Sequence, residues 1–147
     1  MDATILNKLR HYCAYQERCH EEVRTKLLSL KVYGDRLEEV ISQLVQEDFL
    51  NEERYAKAYA GGKFRMQKWG RERIRKELRF RKISEYCIRQ AMEEIPEEDY
   101  MHTLDQLILS AKKRYASGTP AQRHYKLMNY LLSKGYERSL IVERLKA

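Results

Sequence analysis

This sequence predicts an all-α protein of three tandem three-helix repeats, helix-turn-helix-like units in an elongated, curved array. Three observations predict it. Apolar residues recur at i and i+4 through nearly the whole chain, and no stretch alternates apolar and polar residues between turn signals as a strand would. Glycine is scarce, and the two prolines, Pro96 and Pro120, stand where a helix can begin, because the first helical N–H has no intrahelical partner. The apolar pattern also repeats. Val23, Leu27, Val32, Leu37, Ile41 and Leu44, shifted by 51 positions, become Ile74, Leu78, Ile83, Ile88, Met92 and Ile95. A further shift of 53 turns the first five of these into Leu127, Leu131, Tyr136, Ile141 and Leu145.

Each set breaks its helical spacing once and resumes it, which describes two helices joined by a tight turn. Lys31, Lys82 and Gly135 share one place in that turn. A further helical segment precedes each pair, over residues 5–15, 51–67 and 97–116. Asn51, followed by Glu52 and Glu53, suits an N-cap with acids in the first turn. After Pro96, Glu97, Glu98 and Asp99 complement the positive end of a helix dipole. Gly34, Gly70 and Gly118 read as breaks. The units therefore span residues 1–48, 49–96 and 97–147, and such small units bury enough surface only by stacking on their neighbours.

The 147 residues carry a net charge of +7, and its distribution matters more than its size. Residues 63–82 hold ten Lys or Arg and two acids, so the rest of the chain is close to neutral. Charge so concentrated acts as a local field on a partner. At about 100° per residue, Arg71, Arg75, Arg79 and Lys82 fall within an arc of about 80° beside Ile74 and Leu78. Arg73 and Lys76 lie on the far side, with Lys63, Arg65 and Lys68 just upstream. Such a row suits phosphates or a carboxylate-lined groove, and the arginine fork matches either acid. The competing reading is a solvated face with internal pairs such as Arg73 to Glu77. Trp69 lies inside the run; stacking on an unpaired base, worth ~1–3 kcal/mol, and packing at a helix junction both suit it. Tyr55 and Tyr59, one turn apart, read as core. The third unit is also basic, whereas residues 1–62 carry a net −2 and should lean on protein.

Other chemistry is absent from the pattern. No stretch approaches the ~18 apolar residues of a membrane span, and the start Met1-Asp2-Ala3-Thr4 lacks a secretory signal, so a cytoplasmic protein with no membrane partner is expected. Cys13, Cys19 and Cys87 read as reduced thiols. His11, Cys13, Cys19 and His20 lack the spacing of a structural zinc site. The acids from Glu93 to Asp99 are interrupted by Pro96 and read as one helix end meeting the next start. With no Gly-rich phosphate loop, no Ser/His/Asp set and no supported carboxylate pair, we expect no catalytic residue, cofactor, metal or small-molecule substrate.

The stretch "EDFLNEERYAKAYAGGKFRMQKWGRERIRKELRFRKI" resembles the signature of the RecX family, regulators of the RecA recombinase. The likeness rests on Glu53-Arg54-Tyr55-Ala56 after an acidic turn, and on Arg73-Ile74-Arg75-Lys76-Glu77-Leu78. "YCAYQERCHEEVRTKL" and "YKLMNYLLSKGYERSLIVERL" resemble the flanking units. The family usually has a glycine between the counterparts of Lys82 and Ile83, and often a hydroxyl residue at Cys19. The resemblance implies a non-enzymatic modulator that docks along the groove of a RecA–DNA filament, with RecA and single- or double-stranded DNA as partners, and restrains ATP hydrolysis, strand exchange and filament growth in DNA repair. Lys63, Arg65, Lys68, Trp69, Arg71, Arg73, Arg75, Lys76, Arg79 and Lys82 are the expected contact residues. The alternative is a helix-turn-helix protein acting directly on DNA. It is disfavoured because the second helix of the first two pairs, the one that would enter the groove, is acidic or mixed, and the positive charge lies on the first helix of the middle pair.

Overall fold

The computed structural model describes residues 3–146; Met1 and Asp2 of the start considered above, and Ala147 of the third unit, lie outside them. Nine helices and no strand make up these residues. They are α1 (Ala3–Tyr15), α2 (His20–Ser29), α3 (Gly34–Gln46), α4 (Glu52–Gln67), α5 (Arg71–Phe80), α6 (Glu85–Met92), α7 (Glu97–Arg114), α8 (Pro120–Lys134) and α9 (Arg138–Lys146). The fold is all-α, as the periodicity requires.

Local chemistry explains several of the ends. The Asn51 side chain accepts from the Arg54 N–H at 2.9 Å, and Ser84 Oγ accepts from the Cys87 N–H at 3.2 Å. Thr119 and Gln122 form a reciprocal capping box ahead of Pro120. Lys31, Lys82 and Gly135 all take left-handed backbone, with φ of 60°, 60° and 103°. The turn thus keeps one geometry in each helix pair, with lysine in the first two and glycine in the third. A left-handed lysine costs about 1–2 kcal/mol, which surrounding packing must offset.

The repeated apolar positions are the core. Val23, Leu27, Val32, Leu37, Ile41 and Leu44 are buried with Leu6 and Leu9 of α1 in one cluster. Ile74, Leu78, Ile83 and Ile88 join Leu127, Leu131, Tyr136 and Ile141 in a second. This second cluster runs without a break from α4 to α9, so those six helices share one interior. Cys19, at the start of α2, is buried in the second cluster and not the first. It is a small apolar peg between the two, which accounts for a thiol where capping would favour a hydroxyl. Cys13 and His20 lie on different helices, and no group of three His, Cys, Asp or Glu is placed to hold a metal among the described residues. No described helix is long and apolar enough to cross a membrane.

Two contacts carry testable consequences. The Gly70 N–H donates to the Lys134 carbonyl at 2.7 Å and the Glu72 N–H to the Gly135 carbonyl at 2.9 Å, so α5 begins directly on the end of α8. A Cβ added to Gly70 would lie 2.3 Å from the Gly135 carbonyl carbon. Gly70→Ala should therefore lower unfolding stability by about 3 kcal/mol, the upper end of the usual overpacking cost, as read by urea denaturation. In the first cluster's periphery, Arg10 grips Glu47 at 2.6 Å through both oxygens. Arg10 first, and then Gln43, hold the Glu47 carboxyl down from 4.5 to about 2. A carboxyl depressed on folding contributes stability above its unfolded value and loses it as pH falls through the folded one. The stability gap between wild type and Glu47→Gln should thus be full above about pH 4.5 and vanish toward pH 2 in denaturation curves.

Candidate polyanion-binding surface

The basic run folds as the last turns of α4, a left-handed corner at Lys68, and α5. Ile74 and Leu78 anchor α5 in the core, and the cations distribute around that anchor unequally. Arg71 does not face outward. Its side chain is 15% exposed and reaches Glu137 at 2.9 Å and also Glu97, both carboxylates of the segment that follows α6. The Arg71 guanidinium lies 3.8 Å from the Tyr100 ring centre, and the Arg71 N–H donates to the Tyr100 hydroxyl at 2.9 Å. That hydroxyl donates in turn to Glu137. Burial, and then the Glu137 carboxylate, push the Tyr100 hydroxyl far above the usual phenol range, so it stays a donor. Arg71 is therefore a clamp between α5 and the α7–α9 helices. The helical-wheel arc missed this because α7 and the Glu137 corner are remote in sequence.

Trp69 is corrected too. It is 8% exposed and packs edge-on to Tyr59 with ring centres 6.3 Å apart. Lys63 and Arg73 stand over its ring at 4.9 and 4.1 Å. No face is left for a base, so the tryptophan is packing and supports the two cations through their attraction to its ring. Arg73, half-buried, also donates to the Ser133 carbonyl of α8 at 3.2 Å.

The remaining candidates reach solvent. Arg65, Lys68 and Lys76 are exposed. Arg75 pairs with Glu72 at 2.6 Å within α5, Arg79 with Glu85 at 2.8 Å, and Lys82, 75% exposed, with Glu21 at 3.6 Å. Surface pairs of this kind contribute roughly 0–1 kcal/mol, so an incoming anion can replace the carboxylate. Arg73 does not pair with Glu77; that carboxylate is held by Arg81 at 2.9 Å.

Two cations outside the run complete the surface. Lys134, at the end of α8, donates to the Gln67 carbonyl at 3.1 Å. Burial first, and then Arg73, Lys68 and Arg114, lower its pKa. Arg114, at the end of α7, lies 5.3 Å over the Tyr130 ring. A signal for both was present in the sequence: residues 106–136 hold six Lys or Arg and no acid. By contrast α3 exposes Asp35, Glu38 and Glu39, and α6 exposes Glu85. The second helix of those pairs is thus unsuited to a DNA groove.

With this geometry in hand, comparison with known proteins is specific. Residues 51–92 match the family described as RecX, second three-helix domain. Over 130 residues the chain is 31% identical to the regulatory protein RecX of Bacillus cytotoxicus and 30% identical to that of Bacillus mycoides, covering 88% of this chain and 48% of each relative. The chain thus spans about half the length of the curated relatives it matches. A solved crystal structure of regulatory protein RecX is similar with a TM-score of 0.89 at 22% identity, over 99% of this chain and 71% of that one. A second, of RecX from Lactobacillus salivarius, has a TM-score of 0.86 at 24% identity, over 98% and 94%. The two structures share the fold.

The contrast between clamped and free arginines is measurable. Arg71→Ala leaves Glu137 and Glu97 without their cation and strips the guanidinium from the Tyr100 ring, and should lower stability by about 3 kcal/mol. Arg79→Ala should change it by about 0.5 kcal/mol or less. Urea titrations followed by circular dichroism compare them, and equal losses would overturn the assignment.

Proposed function

From its likeness to regulatory RecX proteins over residues 51–92 and along most of its length, we propose that this chain is a member of the RecX family and a non-enzymatic modulator of the RecA recombinase. In this reading it lies in the groove of the RecA–DNA filament and restrains ATP hydrolysis, strand exchange and filament growth. The observation that carries the reading is the charge of residues 63–82, ten cations against two acids, part of which stays at the surface on rigid helices. Arg65 and Lys76 are exposed, and Arg75, Arg79 and Lys82 are held only by surface carboxylates.

The physical action follows from preorganisation. A filament groove presents phosphates and acidic side chains at intervals, and guanidinium and ammonium groups bind both through charge-assisted hydrogen bonds. Helices that are already packed lose little freedom on docking, so more of the interaction appears as affinity. A ligand that binds one filament conformation better than another shifts the filament toward it by that difference in affinity. Restraint of hydrolysis then needs no catalytic group on this chain. Sequence-specific operator binding gains no support, because the second helices are acidic in α3 and mixed in α6, where Glu85 is offset by Arg89.

The triple variant Arg65→Gln, Lys76→Gln, Arg79→Gln should keep the helical circular-dichroism signal of the parent. It should need at least about tenfold more protein for half-maximal inhibition of recombinase ATP hydrolysis, equivalent to about 1.4 kcal/mol of lost binding. A concentration within about twofold of the parent's would sink this reading.

A further inference from the structure

We propose that the joint between the second and third helix triplets is itself a binding site for the phosphate backbone of nucleic acid. This deepens the reading above by naming which component of the filament the joint meets. Four cations converge there from both sides: Lys68 and Arg73 from the α4–α5 corner, Arg114 and Lys134 from the ends of α7 and α8. Their backbone platform is tightly defined, with the Gly70 N–H on the Lys134 carbonyl at 2.7 Å and the Tyr136 hydroxyl on the Lys68 carbonyl at 3.0 Å. Two of the four are oriented by rings, Arg73 at 4.1 Å from Trp69 and Arg114 at 5.3 Å from Tyr130.

None of the four has a carboxylate partner among the described residues, unlike Arg71, Arg75, Arg79 and Lys82. Like charges held together without a counterion repel, and the pKa of Lys134 is lowered first by burial and then by Arg73, Lys68 and Arg114. An anion shared by the group relieves it and bridges the two triplets. The extent of the positive surface favours a phosphate polymer over an isolated acidic side chain. Beyond the joint, Lys112, Lys113, Arg123 and Lys126 continue along the α7–α8 hairpin, in a stretch of 31 residues with no acid. A backbone carrying one charge per nucleotide can occupy such a stretch throughout its length. The joint is thus a nucleic-acid contact additional to the exposed cations of α5.

The test uses a fluorescent single-stranded oligonucleotide and the full chain, with affinity read by anisotropy across a salt series. For single strands the slope of log affinity against log salt is about −0.7 per phosphate neutralised. Arg114→Gln with Lys134→Gln should flatten the slope by about 1.4, and Arg114→Gln alone by about 0.7. The single variant is exposed and outside the contacts between triplets, so it reports even where Lys134→Gln perturbs folding. Lys8→Gln with Arg89→Gln removes the same net charge elsewhere and should leave the slope unchanged. Equal flattening by that control, an unchanged slope in the joint variants, or equal affinity for polyglutamate would each overturn the proposal. Because no recombinase is present, the outcome is independent of whether the chain modulates one.

Discussion

Gly70 and Gly135 meet backbone to backbone, and the placement of the rest of the basic segment depends on that meeting. Neither position has room for a Cβ: one on Gly70 would meet the Gly135 carbonyl carbon, and one on Gly135 would come within 2.4 Å of Arg73 Cβ. The approach sets α5 against α8 closely enough for two main-chain hydrogen bonds between segments more than sixty residues apart. It also brings Arg71 to Glu137 and Tyr100, and Tyr100 against Tyr136 with ring centres 5.0 Å apart. Buried hydrogen bonds of this kind are costly to break singly, because each orphaned group keeps its desolvation cost. The result is one continuous core from α4 to α9, whereas α1 to α3 keep a core of their own.

That division explains how one cationic segment serves two purposes. Of the charges that turn toward the partner triplet, Arg71 is matched there by carboxylates, whereas Arg73 meets only the Ser133 carbonyl and keeps the Trp69 ring of its own triplet. Those that turn away remain either weakly paired or unpaired at the surface. The matched group tightens the frame, and the frame holds the unmatched group in fixed positions. A free helix carrying the same residues would have the charge without the fixed geometry, and helices of ten residues are marginal in isolation.

Left-handed residues punctuate the chain at the same structural places. Lys31 and Lys82 follow α2 and α5 as Gly135 follows α8, and Lys68 closes α4. Glycine would adopt this backbone without steric cost, and lysine does not. In return the lysine at such a corner projects from the end of a helix, where its charge complements the negative end of the dipole. At Lys68 the same corner delivers a cation to the joint.

Helix type and nearly all helix positions were legible in the sequence, because the apolar period is a local property and burial selects it residue by residue. Val23, Ile74 and Leu127 could be matched by position alone and prove equivalent in the core. The concentration of charge in residues 63–82, and the acid-free run from 106 to 136, were equally plain. The direction of each cation was not. A helical wheel treats Arg71 and Arg75 as neighbours on one face, yet the first is clamped and the second is half-exposed, since the difference lies in Glu137 and Tyr100, far along the chain. Trp69 likewise reads as exposed or buried according to what covers it, and Tyr59, Lys63 and Arg73 cover it only once α4 and α5 have turned on each other. Periodicity reports which faces must leave water; which charges find partners depends on long-range contacts that no local pattern encodes.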